Sequence, residues 1–151
     1  MNFKNINITF LNGKKISLSD YSVYINHNDE NDWVLIDKKS IGSYSNVLLK
    51  FVNSNNKNEF YSFLESSNFI ARTESIEIKT FSNINFYKTT KKSTTSKKEL
   101  AEIKRKIYEL NSKQYLGWTI EEVLELEDLN NLYFKTKMKK ILSIEEVENY
   151  E

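Results

Sequence analysis

Apolar and polar residues alternate along the first part of the chain. Asn5 to Leu11 puts Ile6, Ile8 and Phe10 on one side and Asn5, Asn7 and Thr9 on the other. That two-residue period predicts a half-buried strand. Asn12-Gly13 follows, a pair that tolerates positive φ and signals a hairpin, and Lys14 to Leu18 returns as its partner strand. Tyr21 to Asn26 alternates again. His27 to Asp32 is polar and reads as a loop, Trp33 to Asp37 as a buried strand, Gly42 with its serine neighbours as a turn, and Val47 to Val52 as a hydrophobic strand. Asn56 and Glu59 have the spacing of a helix cap. Phe60, Phe63 and Leu64 then predict one face of a short helix reaching Asn68. Ser75 to Phe81 alternates, and Ile84, Phe86 and Tyr87 predict one more strand.

The period changes after Thr89 to Ser96, a run without a large apolar residue that reads as a linker or mobile loop. Ser96 and Glu99 have capping-box spacing, and Leu100, Ile103, Ile107 and Leu110 follow three, four and three residues apart. This is the clearest helix in the chain, with Lys98, Glu102, Arg105 and Glu109 opposite the apolar stripe and Glu102 four residues before Lys106. Gly117 breaks the pattern. Thr119 and Glu122 form a second capping box leading Ile120, Val123 and Leu124, and a further helix is expected from about Asp128 to Leu142. Ser143 and Glu146 form a third box. The segments Thr119 to Val123 and Ser143 to Val147 nearly repeat, and both read as helix starts with carboxylates at the positive end. The expected fold is α+β: an antiparallel β-sheet with one inserted helix over residues 1–88, a linker over 89–96, and a helical C-terminal region over 97–151, packed on the sheet or extending from it.

Composition narrows the chemistry. The 151 residues contain no cysteine, which excludes disulfides, zinc–thiolate sites and thiol catalysis. Pro is absent and Gly occurs three times, while Asn, Lys, Ile, Tyr and Phe abound. Favoured residues have AT-rich codons, which points to an AT-rich genome, that of a low-GC bacterium or one of its phages. No apolar run approaches ~18 residues, so no membrane span is expected. The alternating N-terminal segment lacks the form of a signal peptide, and a cytoplasmic location is the expectation.

The net charge of +1 conceals a separation. Residues 91–113 carry +5 and residues 114–151 carry −5. The basic residues Lys97, Lys98, Lys104, Arg105 and Lys106 would track a phosphate backbone, but lysine supplies affinity more than base readout. The acidic cluster Glu121, Glu122, Glu125, Glu127 and Asp128 would imitate a row of phosphates and occupy a basic groove. Trp118, beside Gly117 at a helix junction, is the candidate aromatic anchor. Alternatively the two charged segments attract each other within the fold, or are ordinary solvated faces.

Catalytic motifs are scarce. His27 lies in a polar loop near Asp29, Glu30 and Asp32, without the turn glycine or terminal glutamate of a calcium loop. Glu77-Ile78-Lys79 with Asp37 resembles the carboxylate–lysine sets of metal-dependent nucleases, a minor reading because such spacing is common on a strand's solvent face. The separated glycines Gly13, Gly42 and Gly117 exclude a phosphate-binding loop. No catalytic residue, metal or cofactor is expected.

In size and composition the chain resembles small anti-CRISPR and other anti-defence proteins of phages and mobile elements. That resemblance implies a non-catalytic inhibitor that blocks a host protein, a CRISPR or other defence nuclease, by stoichiometric binding. The contacts would be the acidic residues of 121–128, Trp118 and the basic residues of 97–106. The alternatives are a nucleic-acid-binding or regulatory accessory protein using the basic segment, and a structural phage component.

Overall fold

The computed structural model describes residues 2–28, 30–91 and 97–151. It contains nine strands, β1 (Asn5–Thr9), β2 (Lys15–Leu18), β3 (Tyr21–Asn26), β4 (Val34–Leu35), β5 (Ser40–Asn53), β6 (Glu59–Ala71), β7 (Ser75–Lys79), β8 (Phe86–Thr89) and β9 (Ile144–Val147), and two α-helices, α1 (Lys97–Ser112) and α2 (Ile120–Leu142). The strands make one mixed sheet in the order β2-β1-β7-β6-β5-β3-β4, with β8 beside β6 and β9 beside β8. Two compact units divide the chain. The first is Met1–Thr89 with Glu146–Glu151, and the second, Thr90–Glu145, is inserted into it.

The first unit is built on a circuit of strands. β1 runs parallel to β7 in the register Ile6↔Ile76 and Ile8↔Ile78, and β7–β6, β6–β5 and β5–β3 are antiparallel. The circuit closes where Phe3 bridges Tyr21. A five-stranded meander returns to its start only if its first and last strands run the same way, which accounts for the parallel pair. β2 and β3 are two halves of one strand broken at a bulge. Asp20 (φ 63°) donates its N–H to the Phe3 carbonyl, and Phe3 donates its own to the Tyr21 carbonyl, each at 3.0 Å. The extra residue turns the strand, so that β2 stays with β1 while β3 crosses to β5. Inside sit Phe3, Ile6, Ile8, Val23, Phe51, Phe60, Leu64, Ile76 and Ile78, all almost fully buried, with Val147 and Tyr150 packed against them. The Tyr150 ring lies 5.0 Å from Phe60 and 5.3 Å from Phe86.

The expected fold needs correction in several places. The predicted helix over Asn56 to Asn68 is β6. Asn56 accepts from the Asn58 N–H at 2.8 Å in a tight turn, with Lys57 at φ 61°, and β6 then pairs with β5 along nearly its whole length. Phe60 to Leu64 are all buried, so the alternation that marks a strand is missing and an apolar run remains. Gly42 is not a turn but an interior residue of β5 opposite Phe69, whose ring lies where a Cβ would stand. The sheet is mixed, not antiparallel, and the C-terminal half is not purely helical. Within the expected helical region 97–151, β9 is a strand and Ser143 closes α2 as a left-handed C-cap (φ 51°) instead of opening a helix, while the strand expected at Ile84 to Tyr87 is β8. Thr119 and Glu122 do form a capping box, but they start one continuous helix through Leu142. The Trp33 to Asp37 strand contracts to Val34–Leu35, with Val34 exposed. The Asn12-Gly13 hairpin is present, closed by Gly13 N–H to the Phe10 carbonyl at 3.0 Å, with Gly13 at φ 77°. The Ser96 cap lies outside the described residues.

Candidate interaction surface at the helical turn

In the second unit α1 packs on α2 through a single turn of 3₁₀ helix, Gln114–Leu116. Ile103 and Leu110 of the predicted α1 stripe are buried, and Leu100 and Ile107 are half-buried. Along α2, Glu122, Leu126, Leu129, Tyr133 and Thr136, spaced four, three, four and three, are all shielded, and towards the helix's end Phe134 and Met138 are shielded as well. Two of them meet the α1 side. The Lys113 ammonium lies 3.6 Å from the Glu122 carboxylate, and Lys104 sits 5.7 Å from the Tyr133 ring centre. That row therefore faces α1.

Trp118 holds the turn together. Its indole N–H donates to the Leu110 carbonyl at 2.7 Å, joining the Lys113 N–H that this carbonyl also accepts at 3.2 Å near the end of α1. Gly117 makes the turn with φ 85° and donates to the Gln114 carbonyl. Thr119 then caps α2: its hydroxyl accepts from the Glu122 N–H and its own N–H donates to the Glu122 carboxylate, each at 3.2 Å. This backbone hydrogen bond, aided by Lys113, holds the Glu122 carboxyl below the ordinary carboxylate range.

The opposite side of α2 is apolar and open. Ile120 is 77% exposed, and Val123 and Leu124 are also exposed. Just before them Tyr115 is 85% and Leu116 74% exposed. Glu121, Glu125 and Asp128, all exposed, form a row at i, i+4 and i+7 along one flank of this stripe, and Glu127 is exposed three residues beyond Leu124. The acidic cluster is thus divided: Glu122 serves the cap, and the others border the apolar stripe. Sequence periodicity counts Ile120, Val123 and Leu124 as a helix's core side, and the structure leaves them uncovered. The signal was the number of apolar positions on α2, which exceeds what one buried row can hold.

Lys97, Lys98, Lys104 and Lys106 are exposed on α1, and Arg105 is paired with Glu109 at 2.6 Å. A groove of about 510 Å³ brings Arg105, Lys106 and Lys113 to one cleft with Glu109 and Glu125. The basic and acidic segments therefore meet within the unit at this cleft and at the Lys113–Glu122 pair. Among the described residues no group of three or more His, Asp or Glu side chains is placed to hold a metal ion. Glu77 instead accepts from the Asn7 carboxamide at 3.1 Å, Asp37 and Lys79 are exposed, and the His27 ring stacks 5.5 Å from Tyr44. No described helix is long and apolar enough to cross a membrane.

Two family models match the chain, one described as the UU051 N-terminal domain over residues 5–85 and one as the uncharacterised protein UU051 C-terminal domain over residues 97–147. A protein of Ureaplasma parvum serovar 3, described as uncharacterized protein UU051, is 32% identical over 148 residues, covering 94% of this chain and 87% of that protein. The match runs through both the strand circuit and the helical turn, and the chain belongs to the UU051 family.

Proposed function

We propose that this protein is a non-catalytic binding protein that docks a partner protein on the outer side of the first turns of α2. The supporting observation is the exposure of Ile120 with Tyr115, Leu116 and Leu124 around it. Apolar surface left in water forgoes about 25 cal/mol per Å², and a contiguous open stripe of this kind is typical of an interaction site. The flanking row of Glu121, Glu125 and Asp128 favours a partner whose apolar pocket is edged by lysine or arginine. Enzymes that hold phosphate backbones carry such basic grooves, so the narrower form of the reading is stoichiometric obstruction of a nucleic-acid enzyme.

The test places a photo-crosslinking amino acid at position 120 or 124 in the full chain, with position 98 as control. The expected result is one protein crosslinked from 120 and 124 only, through a peptide with basic residues beside apolar ones. Its affinity should fall at least tenfold with Ile120→Asp and weaken as salt rises. Crosslinking to an acidic face, or to no protein, overturns the reading. Crosslinking to a second copy with a dimer in light scattering replaces it with self-assembly, and a salt-sensitive shift of DNA lost on changing Lys104 and Lys106 replaces it with nucleic-acid binding by α1.

A further inference from the structure

We infer that the free edge of β2 is a second binding site, one that takes an extended, acidic peptide segment of a partner protein as an added strand. The inference does not depend on the α2 surface. In the β1–β2 ladder Phe10 donates to the Lys14 carbonyl at 2.8 Å, and Asp20 donates to the Phe3 carbonyl at 3.0 Å. With Ile8 opposite Ile16 and Ile6 opposite Leu18, the even-numbered residues of β2 turn their backbone groups toward β1. By the alternation of an antiparallel pair, Lys15, Ser17 and Ser19 turn theirs away. β2 ends the strand order of the sheet among the described residues, so these groups face no further strand. They recur every second residue, about 6.8 Å apart, the repeat at which an incoming strand offers its own donors and acceptors.

This exposed edge borders an open groove of about 540 Å³. Ser17 and Ser19 form one bank, Asn53 and Asn56 the other, with Tyr21 and Tyr150 also in the lining. The volume falls in the range of ligand clefts, about 300–1,000 Å³. The far bank is already fixed. The Asn53 carboxamide oxygen accepts from the N–H groups of Asn55 and Asn56 at 2.8 and 3.1 Å, and the Asn58 amide donates to the Tyr21 hydroxyl and the Tyr150 carbonyl at 3.1 and 2.9 Å. A preformed bank lowers the ordering cost of binding. The Ser17 hydroxyl is engaged with Asn7 at 2.9 Å, so at this position the edge offers its backbone. Lys15 begins β2, Lys14 precedes it and Lys57 stands in the far turn between Asn56 and Asn58, three ammonium groups around the groove against Glu151 in its lining and Asp20 at the end of the edge, which favours an acidic segment. Edge lysines also serve simply to keep strands from pairing, and the experiment separates the two roles.

A displayed library of random dodecapeptides is selected against the full chain. Acidic peptides with alternating apolar residues should be enriched, and in the wild type their binding should slow hydrogen exchange at the Ser17 and Ser19 amides. Ser17→Pro removes an outward N–H, no backbone bond to β1 and the hydroxyl bond to Asn7, and should weaken binding at least tenfold, whereas Ser17→Ala, which loses the same hydroxyl, and Ile120→Asp should leave it unchanged. If no peptide is enriched, if Ser17→Pro binds as wild type does, or if the Ser17 and Ser19 amides exchange at the same rate with and without peptide, β2 is a guarded edge and the inference falls.

Discussion

The tetrapeptide Ile-Glu-Glu-Val occurs twice in this chain and takes two structures. At Ile120–Val123 it is the first turn of α2, and at Ile144–Val147 it is the strand β9. Each copy follows a hydroxyl residue suited to capping a helix. The difference lies in what the preceding chain has done with that residue. Thr119 comes out of a turn in an extended conformation (φ −74°, ψ 165°), and its hydroxyl is free to take the Glu122 N–H. Ser143 is already the end of a helix. It sits at φ 51°, its N–H closes on the Lys139 and Lys140 carbonyls, and its own carbonyl accepts from Thr90 N–H at 2.7 Å. Local sequence licensed a helix at both places, and the chain's prior commitment withdrew it at one. Burial follows the same division: Ile120 is 77% exposed and Ile144 1%.

The largest test of this contrast is truncation of the two isoleucines. Ile144→Ala should cost about 2–5 kcal/mol in urea unfolding. Ile120→Ala should stay within about 0.5 kcal/mol, and a cost above 2 kcal/mol there would mean that the stripe is covered in the folded chain. Next is the cap. Thr119→Ala should cost about 1 kcal/mol and speed hydrogen exchange at Glu122 and Val123. Ser143→Ala should leave the α2 start untouched and act only at its end, where a left-handed alanine is strained by roughly 1–2 kcal/mol relative to glycine. Ser143→Gly should therefore stabilise the protein, and a loss of stability would contradict the left-handed cap.

The smallest effects are in pH. The second glutamate of each copy does different electrostatic work. Glu122 has a depressed pKa, so its contribution is present above the unfolded carboxylate value and is lost as pH falls through the folded one. Protection from exchange at the α2 start should fall in acid, and Glu122→Gln should remove most of that dependence, whereas Thr119→Ala, which keeps the backbone N–H that the carboxylate accepts from, should leave most of it. Glu146 instead stands near Tyr87, whose phenol is pushed up to about 12, first by burial and then by that carboxylate. A raised phenol stabilises the folded state below its unfolded pKa, near 10, and that contribution is lost as pH rises toward 12. Glu146→Gln should lower the Tyr87 pKa, followed by phenolate absorbance. No change would place the whole shift in burial.

Much of the fold was legible where one face of an element meets water. β1 starts at the predicted Asn5, and α1 carries the predicted stripe of Leu100, Ile103, Ile107 and Leu110, because in both the shielded positions recur at the element's own period. β6 was illegible for the opposite reason. Phe60, Tyr61, Ser62, Phe63 and Leu64 are all buried, and a strand covered on both sides carries no alternation to read. Gly42 among serines has a turn's composition, and only its cross-strand neighbour Phe69 explains why it lies in a strand. The parallel pairing of β1 with β7 joins segments about seventy residues apart, as the Asn7–Glu77 hydrogen bond does, and no local pattern encodes it. Of the proposed interaction surface, the charged residues stood out in the sequence by their segregation, whereas Trp118, expected as an aromatic anchor, is half-buried and donates to the Leu110 carbonyl. Ile120, Val123 and Leu124 were read only as the start of a helix, because the sequence carries no record of which stripe of α2 another helix already covers.

The insertion of Thr90–Glu145 into the strand circuit orders events during synthesis. The interior of the first unit includes Val147 and Tyr150, and the whole second unit, Thr90–Glu145, emerges from the ribosome between β8 and these later pieces. Through that interval Phe60 and Phe86 await the Tyr150 ring that packs on both. The helical unit is made in full first, so it has the opportunity to fold while the older strand unit is still incomplete. The part of the protein begun first is the part finished last.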